Sequence, residues 1–232
     1  MSPALLHLYN ASQATVVIID VLRATSTIAT ALYNGARYIV PVDSVAKCIE
    51  LGRQINCITA GERDGMIAEG LSHGNSPFEY NREFISGKIL VLTTTNGTRL
   101  LHMALEKGAR EIVTGSFANL DSVTEYLIRR KNNIILACAA WKDRINIEDI
   151  LFAGAVIERI RGYFTVECDA SHMAAELYHK ASGDLFGFMK NNNASHFNRL
   201  MGYGLESDIR YCLEPNLANV LPIYEDGKLN IY

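Results

Sequence analysis

Two polar clusters in the chain carry residue types suited to handling a phosphorylated anion. Asp20-Val21-Leu22-Arg23-Ala24-Thr25-Ser26-Thr27 follows the apolar run Val16–Ile19, and Thr93-Thr94-Thr95-Asn96-Gly97-Thr98-Arg99 follows Ile89–Leu92. In the first, an acid at a strand end can hold a cation, Arg23 can grip phosphate oxygens, and Thr25 or Ser26 can cap a helix. In the second, Gly97 removes the side chain that would keep a ligand off the backbone. Thr94, Thr95 and Asn96 add neutral hydrogen-bonding groups, and Thr98 is expected at the N-cap. Arg99 falls in the first turn, where a cation opposes the helix dipole unless an anion lies nearby. Each cluster taken alone is also explained as a polar loop that caps its helix. Asn-Gly commonly marks a hairpin, but Leu100, Leu101, Ala104 and Leu105 follow at helical spacing, so a helix is expected. Neither GxxxxGK[ST] nor GxGxxG is present, and no nucleotide is indicated.

Other turns add to the same inventory. Gly61-Glu62-Arg63-Asp64-Gly65 follows a strand expected to end at Ala60, and supplies a second carboxylate and a second arginine. Gly74-Asn75-Ser76-Pro77 lies in a long polar connection, where Asn75 and Ser76 can donate to an oxyanion or simply form a turn. After Cys138, the segment Trp141 to Asp149 holds Asn146 as a helix cap, with Glu148 and Asp149 in the first turn. Carboxylates there complement the dipole. They also join Asp20 and Glu62 at one edge of a sheet, which suits a hard cation. Mg²⁺ takes one or two carboxylates, waters and substrate oxygens. His172, His179 and His196 form no zinc motif and read as structural or exposed, His196 being the best exception. No GxSxG elbow announces a serine hydrolase.

The elements that must position these groups alternate between strand and helix patterns, which predicts a three-layer α/β/α sandwich with a mostly parallel or mixed sheet. Strands are expected at Val16–Asp20, Tyr38–Val42, Cys57–Ala60, Ile89–Leu92, Glu111–Thr114 and Ile134–Cys138. A C-terminal pair near Val220–Tyr224 and Leu229–Tyr232 turns at Asp226-Gly227. Helices are expected over Thr25–Asn34, Val45–Ile55, Thr98–Lys107, Leu120–Lys131 and Glu148–Arg161, then near Ala170–Asn191 and His196–Leu213. Shifted by 73, IDVLRATSTIATALYNGARYIV matches LTTTNGTRLLHMALEKGAREIV at eight of 22 places, from Thr25 with Thr98 to Val40 with Val113. Residues 16–42 and 89–115 therefore read as two copies of a strand–loop–helix–strand unit, intertwined within one compact unit spanning 1–232. Both polar clusters then sit where a strand ends and a helix begins. Ligands of open α/β sheets bind at that edge, where free N–H groups favour anions.

Composition sets the frame. A hydrophobic content of 49% with 20% charged residues excludes wholesale disorder. The net charge of -3 offers no electrostatic case for nucleic acid or an anionic membrane. No basic, apolar leader and no apolar run of about 20 residues is seen, so a cytoplasmic protein is expected. Cys48, Cys57, Cys138, Cys168 and Cys212 are odd in number and widely spaced, which predicts free, buried thiols rather than a disulfide framework or zinc site. The expected partner is a small anionic phosphorylated substrate, and a homodimer is allowed.

DVLRATSTIATAL, the GER…GNSP region, TTTNGTR, Glu148-Asp149…Ala153-Gly154 and Asp208-Ile209…Cys212 together resemble the 2-phosphosulfolactate phosphatase family, in order, over nearly the whole chain. The resemblance implies a Mg²⁺-dependent hydrolysis of (2R)-2-phospho-3-sulfolactate to 3-sulfolactate and phosphate, an early step of coenzyme M biosynthesis. Asp20 with Glu62, Glu148 or Asp149 would hold the metal. Arg23 and Arg99 would act on the phosphoryl group, with Thr25, Ser26, Arg63, Asn75, Ser76 and Thr94 to Thr98 binding the substrate. Water and Asp20 itself are the alternative nucleophiles. The chain departs from the family pattern at Ala140, where glycine is frequent, and at Asn146, where serine is frequent. A phosphatase of another small phosphorylated hydroxy acid, or a non-catalytic binder of anionic metabolites, are the competing readings.

Overall fold

A computed structural model describes residues 2–63, 65–94, 96–141 and 144–232. The first half runs β1 (Ala14–Ile19), α1 (Ala24–Tyr33), β2 (Tyr38–Val42), α2 (Val45–Ile55), β3 (Ile58–Arg63), β4 (Met66–Ile67), α3 (Arg82–Ile85), β5 (Ile89–Thr93) and α4 (Gly97–Glu106). The second runs β6 (Glu111–Gly115), α5 (Leu120–Arg130), β7 (Asn133–Cys138), α6 (Ile147–Ile160), α7 (Asp169–Ala181), α8 (Leu185–Asn191), α9 (Ser195–Gly202), α10 (Glu206–Leu213), β8 (Pro222–Glu225) and β9 (Lys228–Ile231). No helix among the described residues is long and apolar enough to cross a membrane.

The strands form one mixed sheet in the order β4-β3-β5-β2-β9-β8-β6-β1-β7. Two parallel trios, β3-β5-β2 and β6-β1-β7, flank the antiparallel hairpin β8-β9. Side chains alternate across it as the pleat requires. Val17 and Ile19 pack among α5 and α6, while Val16 and Ile18 meet Leu100, Leu101 and Ala104 of α4. Leu90 and Leu92 meet Ile28, Ala31 and Leu32 of α1, while Val91 meets Cys48 of α2. Ile18, Leu92, Ile28 and Leu101 line one crevice, so α1 and α4 lie side by side on the same face. β1 is buried throughout, which is why it reads as an unbroken apolar run.

The sequence repeat is also a structural one. β1 pairs with β6 and β2 with β5, so the first strand of each copy binds the second strand of the other. The helix ends are duplicated bond for bond. Gly35 N donates to Leu32 O at 2.9 Å and Ala36 N to Ala31 O at 2.9 Å, while Gly108 N donates to Leu105 O at 2.8 Å and Ala109 N to Ala104 O at 3.0 Å. Both glycines have positive φ, 97° and 65°. That is the glycine-ended helix stop in which two orphan carbonyls are satisfied. A Cβ on Gly108 would meet nothing within 4 Å, so its requirement is purely one of backbone conformation. Gly108→Ala is expected to cost about 1 kcal/mol, read as a lower urea midpoint with an unchanged slope.

Hydrogen-bonding order makes the two trios antiparallel to each other, because three antiparallel steps separate β2 from β6. Sheet twist offsets part of this, since five steps from β1 to β5 at about 20–25° each rotate one strand against the other by roughly 100–125°. The loops that follow the two strands meet where Gly97 approaches Asp20.

Several expected boundaries move. The helix expected near Ala170–Asn191 is broken at Gly183, where Asp184 starts α8 by accepting a bond from Gly187 N at 2.8 Å. The one near His196–Leu213 ends α9 at Gly204 (φ 75°), with Leu205 N donating to Leu200 O at 3.1 Å. β3 runs through Arg63 rather than stopping at Ala60, because Glu62 and Arg63 pair with β4. All five cysteines are free, and Cys48, Cys138 and Cys212 are buried, whereas Cys57 and Cys168 are only partly so.

Candidate active site

Where the ends of β1, β3, β5 and β7 come together, a cavity of about 350 Å³ opens. Its floor is the β1–α1 turn, with Asp20, Leu22 and Arg23. One wall comes from β3 and the β5–α4 loop, with Glu62, Arg63, Gly65, Asn75, Thr94, Asn96 and Arg99. The rest of the lining comes from the β7–α6 loop and α9, with Trp141, Asn146, His196, Arg199 and Leu200. The two copies of the repeat touch at Gly97, where a Cβ would lie 3.2 Å from Asp20 Oδ2 and 3.3 Å from Thr94 Oγ1. Gly97 therefore makes room for the Asp20 carboxylate as well as for any ligand.

Short bonds shape the floor. Thr25 N donates to Asp20 O at 2.9 Å, and Asp20 N donates to Thr25 Oγ1 at 3.1 Å. Ser26 Oγ donates to Val21 O at 2.8 Å, and Thr27 Oγ1 to Asn75 O at 3.0 Å. The Thr25 and Ser26 hydroxyls thus brace the turn, and neither residue lines the cavity. The Leu22–Arg23 peptide bond is cis. In the second copy Asn96 occupies the N-cap and the helix begins at Gly97, so Thr98 is not the cap. Thr98 Oγ1 instead donates to Thr94 O at 2.8 Å, and Thr94 Oγ1 accepts from Thr98 N at 3.4 Å. Thr95 lies outside the described residues. Ser76 starts the short turn Pro77–Glu79, accepting from Phe78 N at 3.3 Å, away from the cavity wall. Asn75 is on the wall, and its buried Oδ1 has no hydrogen-bond partner among the described residues.

Charge is arranged in layers. Arg23 is buried and ion-paired to the equally buried Asp208 of α10, which fixes the guanidinium against the floor. Glu62 Oε2 accepts from Gly65 N at 2.9 Å, and Arg63 Nη1 donates to Glu62 O at 2.6 Å. Glu148 and Asp149 stand behind the cavity surface, each 1% exposed. Asp149 Oδ1 accepts from Val21 N at 2.9 Å and so ties α6 to the floor. Glu148 Oε1 lies 2.5 Å from His196 Nδ1. Burial, followed by repulsion from Glu62 and Glu148 against attraction to His196, pushes the Asp20 carboxyl up to about 6. Burial, then Glu148 and Asp20, hold Asp149 well above the usual carboxylate range.

Asp20, Glu62, Glu148 and Asp149 are thus neighbours, but among the described residues no three His, Cys, Asp or Glu side chains converge as a ready-made metal cage. The donor set still fits a hard cation held by one or two carboxylates and water. Asp20 and Glu62 reach the cavity, while buried Glu148 Oε2 and Asp149 Oδ2 lack any partner among the described residues. A buried carboxylate oxygen left so is costly unless charge nearby compensates it.

Four lining residues carry no signal in their local sequence. Trp141, Arg199 and Leu200 come from segments without a motif, and His196 stood out from the other histidines only weakly. Trp141 is paired backbone to backbone with Arg144: Trp141 N donates to Arg144 O and Arg144 N to Trp141 O, each at 2.9 Å. Asn146 takes the N-cap position of α6 without a side-chain bond. Ala140, just before Trp141, holds φ 62°, the backbone region in which glycine is favoured.

Comparison with known proteins agrees with this architecture. A family model described as 2-phosphosulpholactate phosphatase matches residues 1–227. A "Probable 2-phosphosulfolactate phosphatase" of Thermotoga maritima is 40% identical over 213 residues, 92% of this chain and 90% of that protein. Proteins of the same description from Caldanaerobacter subterraneus subsp. tengcongensis and Clostridium acetobutylicum are 36% and 34% identical, covering 93% of this chain and 89% and 91% of theirs. With its paired strand-end loops meeting over an arginine-lined cavity, the chain belongs to the 2-phosphosulfolactate phosphatase family of phosphoric monoester hydrolases.

Proposed function

We propose that the chain hydrolyses (2R)-2-phospho-3-sulfolactate to 3-sulfolactate and phosphate, using Mg²⁺ held by Asp20 and Glu62. The observation that carries this reading is the lining of one cavity by Arg23, Arg63, Arg99 and Arg199 together with Asp20 and Glu62. Such a substrate bears phosphate, carboxylate and sulfonate, three anionic groups for four arginines. The names of the relatives support the same substrate. A mere binder of anions gains nothing from two carboxylates in the cavity, since each repels its ligand.

When bound, Mg²⁺ would neutralise phosphoryl charge, which is most of what phosphoryl transfer asks of a protein. Arg23 is pre-set by Asp208 to meet a phosphoryl oxygen, and the first turn of α4 presents N–H groups toward the same place. Arg99, in the first turn of α4, adds charge where the dipole already favours an anion. Water is the attacking group in this reading, and the cavity floor holds Asp20 beside it. Coenzyme M biosynthesis as the pathway and the cytoplasm as the compartment are carried with the proposal. Free thiols throughout the chain are in keeping with a reducing compartment.

Phosphate release from phosphosulfolactate and from 2-phospholactate tests the reading. Phosphosulfolactate is expected to be the better substrate, with turnover lost on chelation and restored by Mg²⁺. Turnover that survives exhaustive chelation removes the metal, and equal or absent turnover of the two compounds removes the substrate assignment.

A further inference from the structure

Of the cavity's arginines, Arg199 is held differently from Arg23 and Arg63. Arg23 is ion-paired to Asp208, and Arg63 donates to the Glu62 carbonyl. Arg199 has no carboxylate partner among the described residues. Its guanidinium lies over an indole, with Cζ 4.1 Å from the centroid of the Trp141 ring. The Trp141 backbone is held by its paired bonds with Arg144, and Arg199 by α9, whose Phe197 and Leu200 are buried in the main core. A cation–π contact with an aromatic face holds the guanidinium in place without consuming its N–H donors in an ion pair.

Arg199 and Trp141 enter the cavity from α9 and the β7–α6 loop, apart from the two duplicated loops and first helical turns that supply Asp20, Arg23 and Arg99. From this geometry we infer that Arg199, positioned by Trp141, binds the sulfonate of the substrate and sets the preference for a sulfonated phosphoester. The inference rests on the substrate reading above. Phosphate and carboxylate share one carbon of phosphosulfolactate, whereas the sulfonate is one carbon further out. With the phosphoryl group at the duplicated loops, the sulfonate is the group placed to extend toward Arg199. Sulfonate is a large, weakly basic monoanion, and the weakly hydrated guanidinium is its better match than an ammonium.

The test compares phosphosulfolactate with 2-phospholactate, which keeps the carboxylate and lacks the sulfonate, on wild type, Arg199→Ala and Arg199→Lys. Loss of one charge-assisted pair is expected to lower the ratio of kcat/KM values, phosphosulfolactate over 2-phospholactate, about 10- to 100-fold in Arg199→Ala. The change should fall mainly on KM for the sulfonated compound. Arg199→Lys should recover part of the ratio, since it keeps the charge but not the stacked fork. Trp141→Leu should lower the ratio in the same direction by less. A ratio unchanged by Arg199→Ala, with both activities falling together, overturns the sulfonate assignment and places Arg199 under the shared carboxylate or phosphate. A wild type that turns over 2-phospholactate as well as phosphosulfolactate instead overturns the substrate reading, and this inference with it.

Discussion

Asp20→Asn is expected to lower kcat/KM by about 10²–10³-fold and at the same time to make the metal-free protein more stable at pH 7. Both effects come from one carboxylate. Asp20 forms the cavity floor beside Glu62 and touches the second loop at Gly97, so its charge is available to a cation and to the reacting group. The same surroundings disfavour that charge. The folded carboxyl sits at about 6 against an ordinary value of 3.8. Because the folded pKa is raised, the native state holds the proton more tightly between about pH 4 and 6. Stability therefore falls as pH rises through that window, and the penalty is fully present above it. A shift of this size corresponds at most to about 3 kcal/mol, and water reaching Asp20 from the open cavity reduces it to about 1–2 kcal/mol. The expected record is a melting temperature for Asp20→Asn above that of wild type at pH 7, the gap closing below pH 4. In the free enzyme kcat/KM should decline as Asp20 protonates below about pH 6. A variant that melts no higher than wild type at pH 7, or that keeps full turnover, contradicts this assignment.

Asp208→Ala is expected to cost about 3–5 kcal/mol and to remove most of the activity, although Asp208 does not line the cavity. It is the counter-ion of Arg23, and both side chains are almost wholly buried. Removing the acid leaves a buried guanidinium uncompensated, which is far costlier than losing a surface pair. Turnover suffers because Arg23 is no longer held against the floor. Arg23→Met combined with Asp208→Leu separates the two consequences. Replacing the whole pair by apolar side chains should restore most of the stability, since neither charge is then stranded, yet leave turnover low. If Asp208→Ala alone unfolds at the wild-type denaturant midpoint, the pair contributes nothing to stability. If the double variant is fully active, Arg23 has no part in the chemistry.

Much of the scaffold was readable without coordinates, for local reasons. β2 and α2 appear at Tyr38–Val42 and Val45–Ile55, where a β-branched run and a 3.6-residue apolar spacing predict them. The long C-terminal helical patterns were read too generously. Their interruptions at Gly183-Asp184 and Gly204 are made by a capping carboxylate and a positive-φ glycine, signals weaker than the apolar periodicity running across them. Thr98 and Asn96 both suit a cap by residue type, so local sequence does not choose between them. The backbone chose Asn96, and Thr94 then took the bond to Thr98 N.

What the sequence by itself determined is the repeated pattern of residues. Eight matches at one offset forecast two equal strand–loop–helix units, and equal glycine-ended helix stops follow because such a stop depends on a handful of consecutive residues. What the tertiary structure decided is how the units meet and which distant groups complete them. Asp208 reaches Arg23 across 185 positions, Asp149 reaches Val21 across 128, and His196 reaches Glu148 across 48. Arg199 finds Trp141 from a different helix. Contacts between residues so far apart in sequence leave no period or spacing to read. They arise only once the loops after β1 and β5 have met at Asp20 and Gly97, and the path of the sheet between them, twist included, is a property of the assembled strands rather than of any one of them.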